Sequence, residues 1–269
     1  MKTPPRSLVL ICFAATFLLN ACAARQGETP LEPLTARNIW EGYAQYAAKS
    51  AEEHRHPSRV QASLRVGGKD EERRVIVLLW ENGGGPIRLD VRAGVGMSAA
   101  KILQTDSRFL LYSMLENRAY SHEGPQQSLL AYGLPLPFGL RDLAALLAGD
   151  YGAVFGLAPP EDPRSAQDGG MFFTLPKKGS PGGVLELDAH GLPRSWREEK
   201  GGWRLTFTHD GDKAFPRPEQ IEARHENGNY AVLLVKERRR PDRPFAPEQL
   251  DLRLPPDIQA LPLRPMNLL

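Results

Sequence analysis

Alternation between apolar and polar residues recurs in short segments along most of this chain. After Pro57, every second residue from Val60 to Val66 is apolar, and the residues between them are polar. This period of two is typical of a β-strand with one buried and one solvated face. The alternating segments are separated by short polar breaks, whereas parallel strands would need crossovers of a dozen or more residues. The sequence therefore predicts a mainly β fold built from antiparallel hairpins.

The predicted strands fall into two series, with a helical interruption between them. Together they amount to about eleven to thirteen strands. The first series comprises Val60–Val66, Val75–Trp80, Ile87–Val91, Met97–Leu103, Arg108–Leu115 and Arg118–His122. The second comprises Met171–Leu175, Gly183–Leu187, Pro193–Glu198, Trp203–Thr208, Gln220–His225, Tyr230–Lys236 and Leu250–Leu254.

Three segments follow a helical period instead. Apolar and aromatic residues from Ile39 to Ala47 predict one long helix with a buried aromatic face, which must end before Pro57. Gln126–Tyr132 and Leu140–Leu147 predict two short helices. The stretch Pro159–Gly170 is rich in proline, aspartate, glycine and serine, which predicts a mobile surface loop.

The N-terminus has the three parts of a bacterial export signal. Lys2 and Arg6 are basic, Leu8–Leu19 is apolar, and the sequence Leu-Asn-Ala-Cys ends at Cys22. The apolar run is shorter than the roughly 20 residues that a membrane-spanning helix needs. We predict a signal peptide over residues 1–21 and a lipobox whose Cys22 sulfur is acylated. The alternative is an ordinary secretory peptide followed by chance by a cysteine.

Cleavage before Cys22 determines the cysteine content and the net charge of the mature chain. It removes Cys12, so no disulfide framework is expected, and it takes two positive charges from a formal net charge of +2. A near-neutral chain gives no indication of nucleic-acid binding. Alanine rather than aspartate follows Cys22, which predicts a lipid anchor in the outer membrane, facing the periplasm. We expect a flexible tether over residues 22–33, one domain over 34–256 and a proline-containing tail over 257–269.

Four segments are informative through their order. The first is an aromatic helix, Ile39–Tyr46, and the second a strand ending in glycine, Ile87–Gly94. The third is a proline-rich loop, Gly133–Pro137, followed by a leucine-rich helix, Leu143–Gly149. The fourth is Phe245–Pro247 with the closing strand Leu250–Pro255. This order resembles the LolA/LolB family of lipoprotein carriers and receptors. The resemblance implies an open antiparallel half-barrel whose concave apolar face is capped by helices. An N-terminal lipid makes the chain more similar to the anchored receptor than to the soluble carrier.

A half-closed sheet of this kind has a concave side that can be too wide for its own side chains to fill, and helices laid across it can open as a lid. An acyl chain buried there would gain about 0.8 kcal/mol per CH₂. The alternative is a close-packed core without a void. The predicted cavity residues are Leu64, Val66, Leu78, Trp80, Leu89, Val91, Leu103, Leu111, Trp203, Leu205 and Leu233.

The resemblance also implies a membrane-insertion loop. In the receptor, an apolar residue projects from a loop between two early strands, and the corresponding hairpin here is Ala93–Met97. Val95 or Met97 is the predicted insertion residue. The alternative is that Met97 starts the next strand facing inward and Val95 only fills the turn.

No convincing catalytic set is found, so an enzyme is not predicted. The sequence lacks a G-x-S-x-G elbow and an H-E-x-x-H motif. His54 and His56 are interpreted as a solvated helix end, and the stretch from His209 to Asp212 as a strand-connecting turn. Neither a cofactor nor a metal is expected. The basic run from Lys236 to Arg243 is either a solvated strand end or a contact to anionic lipid headgroups.

Three functions are compatible with these predictions. The first is a lipid-anchored protein that binds lipid or acylated lipoprotein cargo. A periplasmic LolA-like carrier is a candidate partner of such a protein. The second is a sensor module resembling the regulator RseB, which would bind lipid or misfolded outer-membrane protein. The third is a packed structural domain of an envelope assembly without cargo.

Overall fold

A computed structural model describes residues 33–68, 71–94, 96–124, 126–132, 134–176, 181–211 and 215–263. The predicted signal peptide, the tether with Cys22, and Val95 lie outside these residues. Among the described helices, none combines the length and the apolar character needed to cross a membrane.

The described strands form a single fourteen-stranded sheet in the order β14-β6-β5-β4-β3-β2-β1-β13-β12-β11-β10-β9-β8-β7. All neighbouring strands of this sheet pair antiparallel except β14, which runs parallel to β6. Since β14 and β7 are its two edges, the sheet is open, and the predicted fold class is confirmed. The strands are β1 Ser58–Gly67, β2 Glu72–Glu81, β3 Ile87–Ala93, β4 Met97–Gln104, β5 Arg108–Ser113, β6 Arg118–Glu123, β7 Glu161–Ser165, β8 Met171–Leu175, β9 Gly183–Leu187, β10 Pro193–Arg197, β11 Trp203–His209, β12 Pro218–His225, β13 Tyr230–Arg239 and β14 Ala260–Pro262.

The helices lie at the ends of this long meander and in its middle. The long predicted helix is present as α1, Pro33–His54, and the second short one as α2, Leu140–Ala148. Gly149 follows α2 with a φ of 82°, a left-handed conformation that glycine adopts readily, so the chain turns directly into α3, Tyr151–Phe155. The remaining helices are α4, Pro247–Leu250, and two 3-10 helices, Leu129–Tyr132 and Gln167–Gly169.

Three local predictions are wrong. The stretch Pro159–Gly170 is not only a loop, because it contains the edge strand β7, whose polar residues and internal proline mask a strand pattern. Gln126–Tyr132 is helical only over its last residues, as a 3-10 helix. Leu250–Leu254 is not a strand: Leu250 ends α4, and the residues after it are irregular chain, in which Leu252 is buried and Leu254 partly buried on the outer face of the sheet.

The C-terminal segment belongs to the folded domain. Residues after α4 cross the outer face, where Leu252 packs against Leu110, Tyr112 and Ala119. The chain then adds β14 to the free edge of β6. The predicted domain end at residue 256 therefore falls before the end of the sheet.

The hairpins give the sheet two distinct ends. The turns β1–β2, β3–β4, β5–β6, β10–β11 and β12–β13 lie at one end, which we call the tip end. The turns β2–β3 and β4–β5 lie at the opposite end. There Arg141 at the start of α2 donates to Gly84 O at 3.4 Å and to Asp106 Oδ1 at 2.6 Å, so we call it the helix end.

Candidate functional site

The concave face of the sheet is an apolar trough that contains most of the predicted cavity residues. Leu64, Leu89, Trp203, Leu205 and Leu233 are buried members of one core cluster, and Val66, Val91 and Leu111 are partly buried against it. The structure therefore brings together residues from strands that are far apart in the sequence.

Three predicted cavity residues lie on the other face of the sheet. In β2, Val77 and Leu79 belong to the concave core, so Leu78 and Trp80 point outward by alternation. Leu103 pairs with Leu110 and packs in the outer cluster. Their assignment to the trough is wrong because β2 is apolar on both faces, so its sequence pattern does not distinguish the two sides.

The C-terminal half of the trough is filled by aromatic side chains. Trp40 of α1 lies 5.2 Å from the ring of Phe173, and Phe155 of α3 lies 6.1 Å from Trp196. Beneath them Leu205 exposes 0% of its surface. A side chain beside a water-sized void would expose surface to that void, so this part of the trough is close-packed.

The other half of the trough is covered by a loop, which we call the flap, residues 126–132 and 134–139. The flap is bonded to itself: Leu129 N donates to Phe138 O at 2.8 Å, and Leu130 N donates to Leu136 O at 3.1 Å. Leu129, Leu136 and Phe138 are buried in the core cluster. The flap therefore behaves as a small folded unit that lies on the apolar sheet.

Polar attachments of the flap are confined to its base. Gln126 Oε1 accepts from Arg141 N at 2.7 Å, and Gln126 Nε2 donates to Asp142 Oδ2 at 3.0 Å. Within the described chain, flap residues from 128 to 138 form no hydrogen bond to a strand. Tyr132 stacks on Phe109 with ring centroids 4.2 Å apart, and its buried hydroxyl has no described partner. Burial raises the pKa of Tyr132.

The far end of the flap leaves a groove at the tip end of the sheet. Its volume is about 350 Å³. Leu130 and Pro135 of the flap line one side, and Val66 with the β1–β2 turn lines the other. Glu71, Arg73 and Asn229 also line this groove, so its rim is polar while the flap side is apolar.

The helix end is closed by buried charges instead. His54, in the last turn of α1, has Nδ1 at 3.0 Å from Asp150 Oδ2 and Nε2 at 3.2 Å from the Glu81 carboxylate. Ser58 Oγ also donates to Glu81 Oε1 at 3.0 Å. Burial alone would lower the pKa of His54, but the hydrogen bonds and negative charges of Asp150 and Glu81 outweigh it and raise the pKa to about 9. A protonated His54 thus joins α1, β2 and the α2–α3 turn.

This arrangement overturns the interpretation of His54 as part of a solvated helix end. Its two carboxylate partners are 27 and 96 residues away in the sequence. No local spacing indicates such a cluster. The only signal was the presence of acidic residues at the end of a strand and just after a helix-ending glycine.

Further hydrogen bonds hold the helices at the same end. Arg238 Nη2 donates to Leu147 O at 3.2 Å, and Tyr43 Oη donates to Gly156 O at 3.0 Å. Tyr151 Oη lies 2.8 Å from His209 Nε2. Burial lowers the pKa of His209 to about 4, so its ring is neutral and accepts the tyrosine proton. These bonds hold the helices at the helix end, whereas flap residues 128–138 have no described hydrogen bond to a strand.

The basic run near the end of β13 is divided between these contacts. Arg238 is turned inward onto α2, and Arg240 Nη1 lies 3.1 Å from Glu53 Oε2. Arg239 pairs with Glu237 on the same strand. These contacts make the run mainly a helix-end anchor.

Exposed apolar side chains cluster at the tip end. Met97 at the start of β4 is 58% exposed, so it does not face inward. The neighbouring β5–β6 turn carries Met114, 39% exposed, and Leu115, 67% exposed. Met114 N donates to Ala99 O at 2.9 Å, which holds the two turns side by side. Across the described ranges, no group of three or more His, Cys, Asp or Glu side chains is placed to hold a metal ion.

Comparison with known proteins identifies the fold. No protein-family model and no curated protein sequence matches the chain. A LolA superfamily protein from Nitrosomonas europaea is similar in structure, with a TM-score of 0.53, 14% identity, and coverage of 78% of this chain and 98% of that one. A putative outer membrane lipoprotein-sorting protein domain from Vibrio parahaemolyticus has a TM-score of 0.50, 15% identity, and coverage of 79% and 97%.

A third similar structure is a DUF1329 family protein from Desulfovibrio piger. Its TM-score is 0.54 at 12% identity, and the match covers 80% of this chain and 97% of that one. At these identities the likeness concerns the fold, and that fold is LolA-like.

Proposed function

We propose that this chain, whose fold is LolA-like, is a non-enzymatic module of the bacterial envelope that binds acyl chains of lipids or lipoproteins under the flap. In this proposal it is anchored through acylated Cys22 and takes part in delivering cargo to the outer membrane. A periplasmic carrier of the same fold is the expected donor of the cargo.

The observation that carries the proposal is the way in which the flap is held. Its buried leucines and Tyr132 meet the sheet through apolar surface, while its backbone bonds are satisfied within the flap. Lifting flap residues 128–138 breaks no described hydrogen bond to a strand. At the flap base, Gln127 Nε2 lies 3.4 Å from His122 Nε2 of β6. An acyl chain buried in place of the flap would gain about 0.8 kcal/mol per CH₂, which offsets part of the apolar contact that the flap gives up.

The geometry also supports a direction of opening. The flap base stays bonded to α2 through Gln126, whereas its far end borders the groove at Val66. Movement of the far end would uncover Val66, Leu89, Val91 and Leu111, which are the predicted cavity residues on this half of the trough. Cargo would then enter and leave at the tip end.

The tip end is suited to contact with a bilayer. We propose that Met97, together with Val95, enters the lipid surface during delivery. Transfer of an exposed methionine from water to hydrocarbon is favourable, and Cys22 would keep the domain close to the membrane.

A structural domain without cargo is the second candidate. The aromatic filling beneath α1 and α3 favours it, because Leu205 and Leu233 border no void. This function requires the flap half to remain closed, so the two candidates differ in what the flap does.

The test is a reversible lock on the flap. Leu130→Cys with Val66→Cys joins the two sides of the groove, and each single substitution serves as the control. We expect the oxidised double variant to lose binding of a fluorescent fatty acid and the reduced one to regain it. Unchanged binding in the oxidised protein would show that the ligand does not enter under the flap. No fatty-acid binding by the unsubstituted chain, with no acyl ligand by native mass spectrometry of the gently purified protein, would support the structural domain. Transfer of lipoprotein from a loaded carrier to membranes then separates delivery from sensing.

A further inference from the structure

The outer face of the C-terminal half carries a groove that is separate from the trough. Its volume is about 210 Å³, and it lies at the edge of the sheet formed by β7 to β11. Phe172 and Val184 are half-buried there, because their strand neighbours Phe173 and Leu185 point into the core on the other side. The groove is lined by Arg164, Phe172, Val184, Ser195, Arg197 and Arg204.

Arginines face one another across neighbouring strands at this groove. Arg197 of β10 is paired in register with Arg204 of β11, and Arg204 is paired with Arg224 of β12. Like charges directly opposite each other in a sheet are destabilising. Three arginines in one row therefore indicate a position where a negative charge from outside the sheet would be favourable.

The charges of this row are unequally compensated. Arg224 forms an ion pair with Glu222 and lies over the ring of Tyr230 at 5.5 Å. Arg197 and Arg204 are exposed, and in the described part of the chain neither has a hydrogen-bond or ion-pair partner. Two free guanidinium groups thus face the same groove.

The carboxylate of Glu186 on this face is bonded elsewhere. Glu186 accepts a hydrogen bond from Ser195 Oγ at 2.6 Å, and its register partners are Phe172 and Ser195. It does not line the groove. The groove therefore combines an apolar floor with uncompensated positive charge.

We propose that this groove binds a phosphate group through Arg197 and Arg204, with Phe172 and Val184 contacting the apolar part of the same ligand. A guanidinium group donates two parallel hydrogen bonds to phosphate oxygens, and two such groups on adjacent strands suit one tetrahedral anion. The phosphate is either that of a lipid headgroup or free phosphate. Arg197 and Arg204 lie toward the tip end, the same end that carries Met97. The site does not depend on acyl binding under the flap.

The test uses the mature chain with Cys22→Ser, so that an acyl anchor does not itself cause vesicle binding. Binding of inorganic phosphate is measured by calorimetry, and binding to phosphatidylcholine vesicles with and without phosphatidylglycerol is measured by flotation. The variant Arg197→Gln with Arg204→Gln removes the site. The control, Arg37→Gln with Arg253→Gln, removes the same charge at exposed positions on α1 and after α4.

We expect the Arg197 and Arg204 double variant to bind at least about tenfold more weakly, while the control is unchanged. Loss of both phosphate and vesicle binding identifies a site for the phosphate group itself, and loss of vesicle binding alone identifies the lipid headgroup. Equal weakening in the two variants, or no binding by the unsubstituted chain, would overturn the proposal.

Thermal unfolding gives a second readout. Without phosphate, Arg204→Gln should raise the melting temperature, because it relieves repulsion in the row. Added phosphate should raise the melting temperature of the unsubstituted chain more than that of the double variant. Equal responses to phosphate would contradict the site even if both variants fold.

Discussion

The two ends of the trough are closed by different kinds of interaction. At the helix end, His54 lies between two buried carboxylates, and hydrogen bonds from Arg238 and Tyr43 fix the helices. At the tip end, Leu130 and Pro135 of the flap face Val66 across the groove. Among the described residues, side-chain hydrogen bonds hold the helices at the helix end, whereas none holds the far end of the flap to the sheet.

This difference indicates how one domain can be both stable and able to open. Buried ion pairs and hydrogen bonds are costly to break singly, because each partner left behind is a desolvated charge. Apolar contacts are not specific for their partner, so an acyl chain can replace a leucine. We therefore expect the helix end to determine the stability of the domain, and the tip end to determine its ligand and membrane contacts.

The largest expected effect is at His54. His54→Ala leaves Glu81 and Asp150 buried without their cationic partner, which should cost about 3–5 kcal/mol in the free energy of unfolding. Denaturant unfolding measures this loss. His56→Ala is the control, because His56 has no described side-chain partner, and it should change stability by less than about 0.5 kcal/mol. Equal losses in the two variants would mean that the helix end is not held by this cluster.

The next effect is the dependence of stability on pH. The pKa of His54 is about 9 in the folded chain and 6.5 in the reference state, so the folded chain binds this proton more tightly. Protonation of His54 therefore adds about 3 kcal/mol to the free energy of unfolding below about pH 6.5. This contribution is lost as the pH rises through about 9. His209 titrates below this window, since its folded pKa is about 4.

The measurement is the free energy of unfolding from pH 6.5 to 10 in the unsubstituted chain and in His54→Gln. We expect the difference between the two to shrink over this range. A difference that stays constant with pH would show that His54 is not protonated between its two carboxylates.

Local elements were predictable to different degrees. The alternation from Val60 to Val66 and the helical period from Ile39 to Ala47 are set by neighbouring residues, and both elements are present. Edge strand β7 was missed because an edge needs little apolar surface. The outward direction of Leu78 and Trp80 depends on which side of β2 is covered, and that is a tertiary property.

The candidate site was predictable only on the sheet side. The cavity residues of β1, β3 and β11 followed from alternation. The flap was predicted as two short helices around a loop, and the movable cover was assigned to the helices. The reason is that a loop bonded to itself, as Leu129 and Leu130 are to Phe138 and Leu136, has no periodic signature. The cluster around His54 likewise depends on contacts across the fold.

A smaller effect is expected for the exposed apolar residues of the tip end. In the mature chain with Cys22→Ser, Met97→Gln should weaken association with phospholipid vesicles about threefold to tenfold, since part of one methionine side chain no longer enters the lipid. Leu157→Gln is a matched control, because Leu157 is 48% exposed but lies after α3. Flotation measures both variants. If the two substitutions weaken binding equally, the tip end is not the membrane-facing end.

The smallest effect is expected at Tyr132 of the flap. The buried hydroxyl of Tyr132 has no described partner, so Tyr132→Phe should leave the free energy of unfolding unchanged or raise it by up to about 1 kcal/mol. Tyr112→Phe is the control: Tyr112 Oη donates to Asn117 Oδ1 at 2.9 Å, and its loss should cost about 1 kcal/mol. Denaturant unfolding compares the two. An equal cost at Tyr132 would mean that a hydrogen bond ties the flap down, and the flap would then be held by the same kind of bond as the helices.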